Sequence, residues 1–477
     1  MKITLWDTRK NDAQKDFAGG MGVGMFPGGG GLRGELVRRW YRRDYRPVAM
    51  AFAYLAAIFR QLGHAVQYVE DELPESDLFV FHPSLLTLSL ERAAIEAVNK
   101  TYPHAKVLVV GPVAHALPDA FRDLRVTIVK GEPEQLRWKL DEVLETDSTS
   151  SSAEIAIGSV KELDELPIPD WSAFAYRRFR IKYDFWKFPT ALIQQSRGCT
   201  FTCNYCPYIM IENKTRFRAP EAVADEMRFG MKHYGFRSFK FRDPLFGLDR
   251  KRVLQLAELI GKLPKRVQFS VETRIDLMKD ETLLALKDAG LTSITVGIET
   301  PDEGTLKRYK RAPVKDDRQR SFVARCRQLG IRTVAGFMIG FPEDTADSIY
   351  YVLDYARRVN PTYANFNVVT PYPGTEFYAE VADQIADRDW SKYSVYNPVL
   401  KYEHLTSQQV SEMHARCFGK FYFRSRYLKE NAHLLWPSLQ MFGMGRGDSK
   451  PIEVPAPSPK RPRPATEPPV LHQIGSA

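Results

Sequence analysis

From about Thr190 the chain repeats one unit six times: a short β-branched or aromatic run, then a stretch of helical periodicity. The strand candidates lie near 191–195, 239–242, 267–272, 294–299, 333–339 and 364–369. Strands separated by helices pair in parallel, because the helix carries the chain back across the sheet. Six such units fit an open, partial (β/α)6 barrel, whose chemistry belongs at the carboxyl ends of the strands. The endings Arg242-Asp243, Glu272-Thr273-Arg274 and Glu299-Thr300 put polar and charged groups there.

The first 145 residues alternate in the same way. Strands are expected at 3–6, 66–69, 78–81, 107–110 and 126–129, and helices at 48–62, 90–100 and 135–144. That order implies an α/β, Rossmann-like, doubly wound sheet that binds ligands beyond its carboxyl edge. The edge carries Asp7-Thr8, His82-Pro83-Ser84, Gly111 through His115, and Lys130-Gly131-Glu132. The glycine-rich stretch 19–34 lacks the third glycine of the dinucleotide fingerprint. It reads as a mobile loop or as one laid against a bound cofactor or substrate. The polar run 147–152 reads as flexible. The expected division is 1–145, a linker at 146–188, the barrel at 189–385, a small, mostly helical C-terminal segment at 386–446, and a proline-rich, disordered tail at 447–477.

Five cysteines are too few for a disulfide scaffold. Cys326 and Cys417 sit in helical stretches and read as buried hydrophobes. Cys199, Cys203 and Cys206 instead fall in one loop directly after the first barrel strand. Thiolates select iron–sulfur clusters or zinc. A closed zinc site wants a fourth ligand that this loop does not offer. Three ligands to a cubane cluster leave one iron open.

The Cys-x3-Cys-x2-Cys spacing, with Arg197-Gly198 before it and Tyr205 ahead of the last cysteine, resembles the radical S-adenosylmethionine (radical SAM) superfamily. The barrel segments 241–246, 272–276, 296–300, 337–343 and 371–375 are similar in order to that family. The first unit resembles the cobalamin-binding domain of one large subgroup, in its loops 111–118 and 131–134 and in the Leu-Asp-Glu-Leu-Pro joint at 163–167. The likeness covers roughly 45–430.

The resemblance implies a 4Fe–4S cluster on Cys199, Cys203 and Cys206. Its open iron would bind S-adenosyl-L-methionine, with Tyr205, Asp243, Glu272, Arg274 and Glu299 as candidate contacts. Where relatives often show two acids, this chain has Arg242-Asp243-Pro244. Reductive cleavage would give a 5′-deoxyadenosyl radical, the hard chemistry being the cofactors' own. Cobalamin is implied by the first domain, with His82, Gly111, His115, Gly131 and Glu132 as candidate contacts. The Asp-x-His-x-x-Gly cobalt-ligand signature is absent.

The leading expectation is a cobalamin-dependent methyltransferase acting on an unactivated carbon. Alternatives are cyclisation, oxygen insertion or carbon–carbon coupling, a tRNA-modifying radical SAM enzyme, or a binding protein without catalysis. The net charge of +10 includes six arginines within 33–46, which motivate the tRNA reading. The lack of any cysteine before Cys199, where methylthio-transferring relatives carry a second triad, weighs against it and against a nucleic-acid partner. The expected partners are a small-molecule substrate and a reducing protein such as flavodoxin or ferredoxin. Aromatics at 393–402, 418–427 and 434–436 either shape a pocket for a lipid-like substrate, rest on a membrane surface, or pack onto the barrel. With 44% hydrophobic and 26% charged residues the chain can bury a core. No apolar run reaches membrane-spanning length and no signal peptide is evident, so a cytoplasmic location is expected.

Overall fold

The computed structural model describes residues 1–8, 13–15, 18–24, 47–148 and 150–431. The arginine cluster at 33–46, the glycines beyond Gly24, residues 434–436 and the proline-rich tail lie outside them.

Six parallel strands form the first sheet: β1 Lys2–Trp6, β2 Ala65–Val69, β3 Leu78–Phe81, β4 Lys106–Val109, β5 Thr127–Gly131 and β6 Ala153–Gly158. Their order is β2-β1-β3-β4-β5-β6. The run Leu-Phe-Val-Phe of β3 is buried along its whole length, as a central strand covered on both faces requires. The helix Met50–Gln61 packs nine buried side chains into this layer. The chain turns out of it at Gly63, where φ is +84°. Strand order reverses between β1 and β3, so Asp7 and His82 flank the crevice where such sheets take their ligands.

The second sheet is an open barrel with strands in chain order. They are β7 Thr190–Ile193, β8 Ser238–Phe241, β9 Gln268–Thr273, β10 Leu291–Glu299, β11 Arg332–Ile339 and β12 Tyr363–Val368. Ile294 and Val296 of β10 are buried in the core, and a register shift after Gly297 interrupts the alternation before Glu299. A buried polar group fastens its floor: Asp184 accepts from Lys240 Nζ at 2.8 Å and Ser270 Oγ at 3.1 Å.

The stretch 146–188, expected to be a linker, is largely structured. Ala153–Gly158 pairs with β5 as a sixth strand, and Trp171, Phe174, Phe179, Ile181 and Phe185 are buried in the main core. The polar run before β6 conceals a strand of only six residues. The aromatics after it follow no helical or strand period. In the C-terminal segment, helix Ser407–Tyr422 starts from a Thr406–Gln409 capping box. Its Phe418 and Phe421 pack edge-on against Phe366 of β12, and Tyr393 is fully buried. Phe418 and Phe421 thus cover the barrel at β12.

Candidate active site

The cysteine loop leaves β7 and is pinned before it reaches the first thiol. Asp243, just past β8, accepts hydrogen bonds from Gln195 N at 3.2 Å, Ser196 N at 2.5 Å and Ser196 Oγ at 2.6 Å. Burial pushes its pKa up to about 7. Both carboxylate oxygens accept from the loop, so Asp243 holds in place the segment that leads to the cysteines. Ser196–Arg197 then pairs antiparallel with Arg216–Phe217, and Cys199 N donates to Asn213 O at 3.1 Å.

The three thiols lie close enough to act on one another. Burial raises the pKa of Cys206 to about 12 and raises that of Cys199, and the neighbouring sulfurs add to both shifts. Thiols gathered out of water ionise at a cost unless a cation shares their charge, which is the electrostatic environment a metal cluster relieves. Arg311 Nη1 stands 3.9 Å from Cys203 Sγ, while Nη2 is 3.3 Å from Glu299 Oε1 and donates to Gly297 O at 2.7 Å. A side chain at Gly297 would collide with Glu299 and Arg311. Glu299 itself sits at φ +68° beside a register shift between β10 and β11. The bulged carboxylate meets Arg311, which also approaches Cys203. The buried Tyr205 hydroxyl has no hydrogen-bond partner. Among the described residues no three His, Cys, Asp or Glu side chains converge on one ion's position. A cubane presents separate irons to separate thiolates, an arrangement that three cysteines on one loop can serve.

Glu272 and Arg274 occupy the mouth in different states. Glu272 Oε1 pairs with Arg242 Nη1 at 2.6 Å and lies 3.3 Å from Lys240 Nζ. Arg274 is paired with Asp276 at 3.0 Å, donates to Ala312 O at 3.0 Å and lies over the Phe201 ring at 4.4 Å. Its Nη1 is buried with no partner. A small crevice lined by Arg274, Gly297, Ile298, Arg311 and Ala312 opens beside it.

Opposite this mouth stands the carboxyl edge of the first sheet. His82 is 5% exposed, its Nδ1 has no partner, and burial lowers its pKa to about 4. The imidazole is therefore neutral at pH 7. Gly111, at φ +91°, approaches so closely that a Cβ there would lie 2.6 Å from His82 Nε2. His115 lies in the last turn of the short helix Pro112–Ala116, half-buried, also with an unpartnered Nδ1. A crevice walled by bare glycine backbone and unpaired imidazole nitrogens fits a planar corrinoid. Gly131 and Glu132 do something else. Gly131 pairs with Gly158 of β6 just past a register shift after Lys130. Glu132 accepts from Arg216 at 2.8 Å through both oxygens and from Val160 N at 2.7 Å. It serves as a clasp between the sheets, with both carboxylate oxygens engaged by Arg216.

Three further groups escaped the sequence reading. Arg197 Nη2 donates to Glu134 Oε1 at 2.8 Å, completing the clasp. Lys15 is buried against Asp7 at 3.0 Å and against Glu91. Arg311 lies in a loop between helices, with no strand-end position to mark it. The segment 19–24 runs between the two centres. Gly19 packs on Pro207, next to Cys206, and Gly20 on Pro112 and His82. Met21 O accepts from Leu85 N at 3.0 Å, and Gly22 O from the Tyr372 hydroxyl at 3.3 Å. Of the two readings of the glycine stretch, these described residues match a loop laid against a site.

Comparison with known proteins bears on this geometry. Residues 193–356 match the radical SAM superfamily. An uncharacterized methyltransferase of Pyrococcus horikoshii is 25% identical over 272 residues, 56% of this chain and 58% of its own. The anaerobic magnesium-protoporphyrin IX monomethyl ester cyclase of Rubrivivax gelatinosus is 25% identical over 57% of this chain and 48% of its own. The chain thus spans about half the length of the curated relatives it matches. Among solved structures, the radical S-adenosylmethionine methyltransferase TsrM from Kitasatospora setae, with cobalamin and a [4Fe-4S] cluster bound, superposes with a TM-score of 0.56. That alignment covers 91% of this chain and 90% of TsrM at 14% identity, a likeness of fold. Residues 193–356 are thus the part of the chain that matches the radical SAM superfamily, within a fold like that of TsrM.

Proposed function

We propose that this protein is a radical SAM enzyme that carries a 4Fe–4S cluster, S-adenosylmethionine and cobalamin, and methylates an unactivated carbon of a small-molecule substrate. The observation that carries this reading is the facing of two centres. Pro207, the residue after Cys206, and His82 are linked by the contacts of two consecutive residues, Gly19 and Gly20, whose Cα atoms lie about 3.8 Å apart. When bound, the cluster with S-adenosylmethionine would supply a 5′-deoxyadenosyl radical, and the corrinoid a methyl group.

This chain's own residues contribute placement and shielding. Cys199, Cys203 and Cys206 would hold the cluster, with the Arg311 guanidinium offsetting charge beside Cys203. Arg274 offers an unpartnered guanidinium nitrogen suited to a carboxylate, and Glu299 and Glu272 offer carboxylates suited to hydroxyl groups. His82, His115 and Gly111 would border the corrinoid. The segment 19–24 excludes water from the space between. A reducing protein of flavodoxin or ferredoxin type would deliver the electron. Among the described residues no helix is long and apolar enough to cross a membrane.

The likeness to a cyclase favours one second reading, a non-methylating reaction on the same scaffold. Product analysis separates the two. Turnover that yields both 5′-deoxyadenosine and S-adenosylhomocysteine supports methylation, and 5′-deoxyadenosine alone supports the second reading.

A further inference from the structure

The end of the barrel opposite the cysteines is strongly basic. The connectors that enter β7 through β11 are 176–189, 234–237, 261–267, 287–290 and 327–331. They carry eleven lysines and arginines against two carboxylates, Asp184 and Asp288. Asp184 is buried and committed to Lys240. Lys262 is paired with Glu258 and Arg327 with Glu430. The remaining cations are drawn together at one end. Arg237 N donates to Pro189 O, Gln268 N to Arg237 O, and the backbone amides of Trp186 and Lys187 to Gln268 Oε1. Lys287 reports the resulting field. Burial lowers its pKa, and Arg266 and Arg332 push the same way, more strongly than Asp288 opposes them. Set among these charges, Trp186 is 39% exposed, with Arg332 4.7 Å over its ring.

We infer that this rear face, centred on Arg177, Arg180, Trp186, Arg237 and Arg266, docks the protein on an anionic lipid surface. Exposed arginine and lysine around an interfacial tryptophan is the chemistry that binds acidic headgroups. The position argues against other anionic partners. Catalytic groups lie at the carboxyl ends of the strands, and β10 alone spans nine residues, roughly 30 Å at about 3.3 Å each. A nucleic acid held here as substrate would not reach the mouth, and an acidic electron donor would dock far from the cysteines. A membrane needs neither approach and leaves the mouth free.

The test uses the full chain in co-sedimentation with vesicles. One set is phosphatidylcholine alone and the other contains about a third phosphatidylglycerol; binding should require the acidic lipid and weaken between about 0.1 M and about 0.5 M salt. The variant Arg177→Glu/Arg180→Glu/Arg266→Glu changes only exposed side chains, so its melting temperature should match the wild type. Its binding to the acidic vesicles should fall at least about a hundredfold, at about 1 kcal/mol per charge. Trp186→Ala should weaken binding further without altering its salt dependence. Equal binding to both vesicle types overturns the inference, as does full binding by the triple-charge variant, which would move the contact to another basic segment. Loss of binding to a short double-stranded RNA with vesicle binding intact would reassign the face to nucleic acid.

Discussion

Arg197, two residues ahead of Cys199, reaches across to the first sheet and lays its guanidinium on the carboxylate of Glu134, with Nη2–Oε1 at 2.8 Å and Nη1–Oε2 at 3.1 Å. Their side chains are 11% and 5% exposed. Arg216 and Glu132 make a parallel pair beside them. The loop that bears the cysteines is thereby fastened to the sheet it faces, and the gap between the two centres is set by charged hydrogen bonds and not by packing alone.

Breaking that clasp at one partner should therefore be severe. Glu134→Gln takes from a buried guanidinium the nearer of its two carboxylates, Glu132 remaining at 3.6 Å, and the loss should approach the ~3–5 kcal/mol of comparable buried pairs. Chemical denaturation of the apo protein should show a loss of that order. The paired replacement Arg197→Met/Glu134→Leu should recover much of it. A single variant as stable as wild type would show that the clasp does not hold the sheets together.

Gly111 is required by its contact with His82. Gly111→Ala places a methyl group at φ +91° and 2.6 Å from the imidazole, so the ring must move. A cost of about 1–3 kcal/mol is expected from the backbone conformation and the overlap. Cobalamin titration followed by visible absorbance should show weaker binding than wild type. Unchanged stability and unchanged affinity together would contradict the placement of His82 at the crevice wall.

Asp243 links pH to the geometry of the cysteine loop. Its folded pKa of about 7 lies above its unfolded value, so protonation favours the fold. That contribution is complete below about pH 4 and is lost as pH rises through about 7. The stability of wild type relative to Asp243→Asn should therefore decline across that window by roughly 2–4 kcal/mol. A difference independent of pH would mean that the carboxyl is not buried as described.

Arg311 should tune a bound cluster. Its guanidinium is 3.9 Å from the Cys203 sulfur, and a nearby cation favours the reduced, more negative state. Arg311→Leu should keep its iron but shift the cluster's reduction potential downward in an anaerobic redox titration. An unchanged or higher potential would remove Arg311 from the cluster's environment.

Much of this was legible in the residues. Eleven of the twelve long strands announce themselves as short apolar runs between helical segments, because a strand covered on both faces admits little else. The cysteine spacing and its place after β7 located the mouth. What escaped depended on partners distant in the chain. Glu132 reads as a loop carboxylate at a sheet edge, and only the approach of Arg216, 84 residues on, makes it a clasp. Asp243 reads as a free strand-end acid until Gln195 and Ser196 fold back over it. Arg311 lies in an irregular loop between two helices, a position that no periodicity marks. The strand Ala153–Gly158 gains its stability from β5 and carries little signal of its own.

The facing of a cluster site and a corrinoid site is tested most directly by anaerobic purification, with iron, sulfide and corrinoid quantified for wild type and Cys203→Ala. The account predicts about four irons and one corrinoid per wild-type chain, with the iron lost in Cys203→Ala and the corrinoid retained. Absence of iron from wild type after anaerobic reconstitution would contradict it outright. Iron without corrinoid, even with cobalamin supplied, would leave the barrel chemistry standing and remove the second centre.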